Sequence, residues 1–406
     1  MQKYWTLITV IMLITLSIGT FYVQSTLSKN EEPPFIMKKQ SGDESMLKPL
    51  ILAGVSYDAN GHVGLRISNG SSSYLRDGGF VERLNQTYQP KKIQRLQQDY
   101  RHFMRGKTSN SILYYETDEQ IAYAEVESNQ LLYNFINVDV NEFTFNISVL
   151  DKQSNKETSF ELPVPDEEKY TFIDVEGVQI IQGNLKVITR NYVYPEDADV
   201  EEIHVYTFNL DKQELMDDES VYVSDPDESG RYNKIDILRE ESEMTYNQFV
   251  VWTNTVIETE EVGDQFNEKI IEEEVYIYDL ETGKSSKIEF PNEINIYEGQ
   301  YMISDSVVYF SNIDGGKLEI TPYFAEKDKF GDHLVIDLED SMLMSDVNLN
   351  INQDKLYLTP VFVEQTIPSP VIIASLKTGD VLYKGTIINS NPMSKDNVDF
   401  DTVEFE

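Results

Sequence analysis

The chain has no cysteine among its 406 residues. No disulfide framework can staple it, and no lipid can be attached through a cysteine after a leader. A domain so built is held by its own apolar core, for which this length is ample. Histidine is scarce too: His62, His102, His204 and His333 stand far apart without ligand spacing, so each reads as a surface or turn residue. Basic residues are in deficit, with 33 Lys and Arg against 71 Asp and Glu and a net charge of -38. That balance argues against nucleic acid as a partner, because such binding rests on neutralising phosphates. There is no GxSxG elbow, no HExxH pair and no phosphate-binding glycine loop. Carboxylates are too abundant for any pair to stand out as a glycosidase acid and base, whose convergence within about 5 to 9 Å no linear spacing reveals.

What is present is aromatic and β-forming. Tyrosine alone accounts for 25 residues and aromatics for 11% of the chain, which excludes disorder throughout. The stretch from Glu274 to Phe290 sets the pattern. Val275 and Ile277 alternate with Tyr276 and Tyr278, side chains that suit a pleated surface covered on both faces. Leu280 to Lys284 then turns the chain, with Gly283 where a short hairpin loop requires positive φ, and Lys287 to Phe290 forms the return strand. Weaker copies recur: Leu-Asp-Lys-Gln closes a strand at both 150–153 and 210–213, Leu-Glu-Thr-Gly at 280–283, a looser turn lies at 326–331, and Leu-Lys-Thr-Gly stands at 376–379. The longer intervals contain acidic insertions such as Glu258 to Glu274. Spacings of this order suit a unit of four short strands.

A strand-turn-strand signature precedes several of these hairpins, at Val178–Ile188 and Leu349–Leu358 most clearly. On these residues the chain resembles the β-propellers, in which hairpins of the form xVYVYDLxTGKxxxI are common. The resemblance covers residues 48 to 390 and implies architecture rather than activity. The expected fold class is all-β, a β-propeller of about six or seven blades, closed by pairing an early strand, Ile51 to Ser56 or His62 to Ser68, with the end of the repeats. An irregular all-β solenoid is the alternative.

The ends of the chain carry different signals. Tyr4 to Val23 is an uncharged apolar run of twenty residues, long enough to cross a bilayer core as a helix. It predicts a signal anchor over 1–24, with the C-terminal domain extracellular and the chain single-pass in the cell membrane; a cleaved signal peptide and secretion is the alternative. Residues 25–47 read as a flexible tether, 48–395 as the propeller-like domain and 396–406 as an acidic C-terminal tail. Together, anchor, tether and scarcity of cysteine resemble membrane-anchored extracytoplasmic propeller proteins of Gram-positive bacteria.

Between Arg83 and Lys107, seven basic residues face Asp99 alone. Ile93, Leu96, Tyr100, Phe103 and Met104 fall at near-helical spacing there, predicting a basic amphipathic helix over 90–105. Lys91, Lys92, Arg95, Arg101 and Arg105 would dock an acidic partner or a membrane surface; packing on the chain's own domain is the alternative. Asp225, Asp227 and Ser229, with Gly230 at the sixth position and Asp236 at the twelfth, follow the spacing of a calcium loop. No cofactor other than calcium is indicated. These features together lead to a non-enzymatic binding or scaffold propeller on the outer face of the cytoplasmic membrane, with an envelope or membrane protein as partner; the alternative is a propeller hydrolase or lyase acting on cell-envelope glycan.

Overall fold

The computed structural model describes residues 35–58, 61–68, 71–74, 89–128, 142–193, 200–226, 230–239, 244, 246–262, 265–291, 294, 299–338, 346–364, 369–390 and 397–405, together with 12, 15, 16, 19 and 20. The chain divides into two compact units, one of residues 89–344 and one joining 1–88 to 345–406. Both are all-β, and every strand pairing among the described residues is antiparallel.

In the unit made of the two chain ends, ten strands form one sheet in the order Val347–Asn352, Lys355–Pro360, Pro370–Ser375, Val381–Asn389, Phe35–Gly42, Ser71–Tyr74, Gly61–Ser68, Leu50–Asp58, Asn397–Phe405 and Phe362–Val363. The early strand Leu50–Asp58 lies against the C-terminal one, from Leu50 opposite Phe405 to Tyr57 opposite Asn397, with a register shift between Ala53 and Gly54. Two expectations are corrected here. The tether of 25–47 gives way to strand from Phe35 onward, paired with Val381–Asn389. The acidic tail is likewise a strand: Val398, Phe400 and Val403 are buried, while Asp399 and Asp401 form the exposed side. The acidic side of that alternation hides the apolar one when the segment is read by charge. Gly54 is required at this seam, because a Cβ there would lie 2.0 Å from the Asp399 carbonyl oxygen.

Residues 89–344 form four meanders in chain order. Sheet I comprises Tyr114–Glu116, Gln120–Ser128, Phe143–Asp151 and Lys156–Pro163; sheet II comprises Tyr170–Ile181, Asn184–Val193, Val200–Asn209 and Glu214–Val223. Sheet III comprises Arg231–Leu238, Phe249–Val262, Gln265–Asp279 and Lys284–Lys287. Sheet IV comprises Gln300–Ser304, Val307–Asp314 and Lys317–Phe324, the last paired with both Lys329–Phe330 and Leu334–Asp337. Neighbouring sheets share cores. Along sheet III, Val250 and Trp252 pack with Ile203 and Val205 of sheet II, while Phe249 and Val251 pack with Ile303 and Val308 of sheet IV. Successive side chains point to opposite faces, so a strand buried on both reads as an unbroken apolar run.

The segment expected as an acidic insertion, Glu258 to Glu274, is instead a continuous two-stranded ladder of Phe249–Val262 with Gln265–Asp279. The return strand of this hairpin is Lys284–Lys287, earlier than expected.

No helix among the described residues is long and apolar enough to cross a membrane. The single-pass, extracellular placement is corrected on that finding, and the run 4–23 lies outside the described residues apart from 12, 15, 16, 19 and 20.

The hairpin turns share one geometry. Asp279 accepts the N–H groups of Glu281 and Thr282 on its carboxylate, and its carbonyl accepts the Gly283 N–H at 2.8 Å. Asn209 caps Lys212 in the same way, and its carbonyl accepts the Gln213 N–H at 2.9 Å. Asn155, Gln213, Gly283 and Gly379 all take positive φ, between 54° and 76°. The two identical Leu-Asp-Lys-Gln segments are therefore not equivalent: Asp151 occupies the turn position of Asn209, which offsets the copies by two residues. Only glycine adopts positive φ without steric cost. Gly283 has free space around an added Cβ, with nothing nearer than 3.7 Å. Gly283→Ala should then cost about 1 kcal/mol through φ alone, and Gln213→Gly should cost nothing; urea denaturation midpoints of the two variants check the contrast.

Candidate functional site

The helix of the basic segment spans Lys91–Asp99, shorter than the expected 90–105 because Tyr100 leaves helical geometry at φ -126°. Ile93, Leu96, Phe103 and Met104 bury against Tyr114, Ile121, Tyr123 and Leu150 of sheet I. Arg95 is ion-paired with Glu116, which also holds Lys152 at 2.7 Å. The segment thus packs on its own domain; Lys91 and Lys92 are half-buried, and Arg101 and Arg105 are exposed.

Asp227 and Ser229 lie outside the described residues, and from Arg231 the chain is an extended strand. Asp236 is ion-paired with Lys234 at 2.7 Å. Among the described residues, no group of three or more acidic or histidine side chains could hold a metal ion.

Two polar clusters that linear spacing did not reveal lie in sheet II. The first surrounds His204, which the sequence reads as a surface or turn residue and the structure buries on the strand Val200–Asn209. Its Nδ1 is 2.7 Å from Asp218 and its Nε2 is 2.8 Å from Glu202. The Tyr170 hydroxyl reaches Glu202 at 3.2 Å, and the His204 ring stacks on Tyr206. Burial disfavours the imidazolium, but the two carboxylates outweigh it and raise the His204 pKa to about 9. With both nitrogens engaged by acids, this histidine is a structural cation rather than a free base. Its pKa is higher folded than unfolded, so its contribution is complete below pH 6.5 and is lost as pH rises through about 9. Stability should fall by up to about 3 kcal/mol across that window. The expected result for His204→Gln is a flat profile there, measured by urea unfolding at a series of pH values.

The second cluster borders a cleft of about 120 Å³. Its wall combines Ser111 and Tyr114 from the start of sheet I, Glu176 to Gln179 from the first strand of sheet II, Ile237 to Arg239 from the end of the first strand of sheet III, Tyr246 and Asn247, and the sheet IV turn Asp305–Ser306. Glu176 is an extra residue in its ladder: Gly177 pairs with Ile188 and Val175 with Thr189. Such a bulge re-aims a side chain, and this one presents a carboxylate to two guanidiniums. Arg190 Nε lies 3.1 Å from Glu176, and Arg239 Nη2 lies 2.9 Å from it. Asp174, across the ladder from Arg190, has its carboxyl pushed up by burial, against the pull of Arg190 and Arg239. Asp305 and Ser306 both take positive φ, 50° and 63°, the only consecutive non-glycine pair to do so among the described residues. Strain of this kind concentrates at functional sites.

The signal for this cluster was present in the sequence. Apolar positions 173 and 175 resume at 178 and 180, so the period of two slips at Glu176-Gly177. The partners were hidden, since Arg190 and Arg239 reach Glu176 only through the pairing of strands and the packing of sheet II on sheet III.

No protein-family model matches the chain, and no curated protein matches it in sequence. Among solved structures it is similar to a single-site variant of Synechocystis apocarotenoid oxygenase, with 7% identity over 91% of this chain and 96% of that one and a TM-score of 0.43. The cobalt-substituted Synechocystis enzyme gives 7% identity, 92% and 95% coverage and a TM-score of 0.40. A prolyl endopeptidase gives 10% identity over 86% of this chain and 50% of that one, with a TM-score of 0.30. The proteins named are enzymes, and the expectation of a non-enzymatic scaffold is not carried further. Likeness at this level carries no residue, metal or substrate across to the present chain.

Proposed function

We propose that the four meanders of residues 89–344 are propeller blades and that the chain works on a small polar molecule held in the cleft. One observation carries this reading. The first strands of sheets I, II and III and a turn of sheet IV supply much of its wall, beside Ile188 from the second strand of sheet II and Phe249 and Val250 from the second strand of sheet III, an arrangement expected where inner blade strands converge on a central channel. Small-molecule sites are concave and set placed polar groups among apolar side chains, and this lining exposes more polar than apolar surface. Here the apolar part comes from Val178, Ile188, Phe249 and Leu280, and the polar part from Glu176, Arg239, Ser111 and Asn247. At about 120 Å³ the cleft is somewhat smaller than the ~150 Å³ cavity that admits benzene. It suits a compact molecule or one end of a larger one.

The test is ligand-observed NMR on the full chain with acetate, inorganic phosphate, glycerol and methylammonium at millimolar concentration. At least one is expected to show saturation transfer that Ser111→Trp abolishes by filling the cleft, with the melting temperature preserved. Binding of none, or binding indifferent to the tryptophan, would overturn the reading.

A further inference from the structure

We propose that Arg239 selects an anionic ligand, and that the Glu176 carboxylate occupies the place on its guanidinium that a ligand carboxylate or phosphate takes on binding. The inference rests on the cleft reading above and names its ligand class.

The two arginines on Glu176 are held very differently. Arg190 is anchored: besides its Nε contact at 3.1 Å, its Nη1 donates to the Ile235 carbonyl at 2.8 Å and lies 3.7 Å from Glu201. Its guanidinium carbon also stands 5.4 Å from the centre of the Tyr192 ring. Arg239 follows the last residue of the strand Arg231–Leu238, beyond the ladder, and its ion pair is with Glu176. The Arg239 side chain keeps 35% exposure against 21% for Arg190, and it lines the cleft.

This asymmetry permits an exchange of partners. Glu176 is only 3% exposed, and a buried carboxylate stripped of its cations is strongly disfavoured. Arg190 stays in place when Arg239 turns to a ligand, so the carboxylate is never left unpaired. A guanidinium presents a planar fork of donors that fits carboxylate and phosphate oxygens two at a time. Asp305 on the cleft wall disfavours a second negative charge, which restricts the class to molecules with one anionic end and a neutral or hydrogen-bond-donating remainder.

The experiment titrates the full chain, the Arg239→Met variant and the Glu176→Gln variant with acetate, inorganic phosphate and methylammonium, following binding by NMR and folding by melting temperature. Arg239→Met is expected to weaken binding of whichever anion the wild type takes by tenfold or more. Glu176→Gln, by removing the internal competitor, should tighten it several-fold, and the acetate and phosphate arms identify which oxyanion is preferred. Anion binding unchanged in Arg239→Met, or weakened in a folded Glu176→Gln, would overturn the exchange. If Glu176→Gln fails to fold, Arg239→Met decides alone, because its side chain is partly exposed at a strand end. A wild type that binds methylammonium and neither anion leaves the cleft reading standing and removes this one; a wild type that binds none of the three removes both.

Discussion

Burial of both faces of each central sheet is the constraint on which the rest of residues 89–344 depends. Trp252 faces sheet II and Val251 faces sheet IV from adjacent positions of one strand. Each such side chain, fully removed from water, contributes about 1.5–3 kcal/mol. The consequence for polar residues is strict, because a charge between two sheets has no water to fall back on and must find its counter-charge within the protein. Glu176 finds Arg190 and Arg239; His204 finds Glu202 and Asp218.

The two clusters answer that demand in opposite ways. Around His204 every polar edge is taken: the imidazole spans two carboxylates, Tyr170 reaches one of them, and Asn191 donates to the Tyr206 hydroxyl at 3.0 Å. Such a network fixes the packing of sheet II. Around Glu176 one partner is anchored on the neighbouring sheet and the other sits at a strand end beside a cleft. A closed network rigidifies; a network with one loosely held member can exchange it. The distinction comes from how many elements hold each side chain, not from the residue types involved.

How far the sequence carried can be judged from particular segments. The hairpin at 274–290 was legible because alternation of β-branched and aromatic residues with a glycine at the turn has one structural solution. The copies of that hairpin were found but misaligned at 150–153, because the turn is defined by an acceptor side chain and a positive-φ residue four positions later, and Asp151 and Asn155 meet that rule where the repeated letters do not. The last strand was missed because its acidic face dominated the reading of a segment whose other face is Val398, Phe400 and Val403. The calcium spacing is a signal of another kind. A list of oxygen-bearing residues says nothing of whether the chain curls or extends, and here the ladder of Arg231–Leu238 with Phe249–Val262 holds it extended.

The sequence by itself determined the all-β class, the position of the hairpins and the helix whose apolar face covers sheet I, since each follows from periodicity within some twenty residues. It also contained the slip of period at Glu176, a local mark of a bulge. Only the tertiary structure decided which charges meet. Glu176 and Arg190 come from two strands of sheet II and Arg239 from the residue just past the first strand of sheet III, and the His204 carboxylates come from its own strand and the next. Pairing between strands fixes neighbours across the ladder and packing between sheets fixes them through it, and neither distance is written in the spacing of residues along the chain.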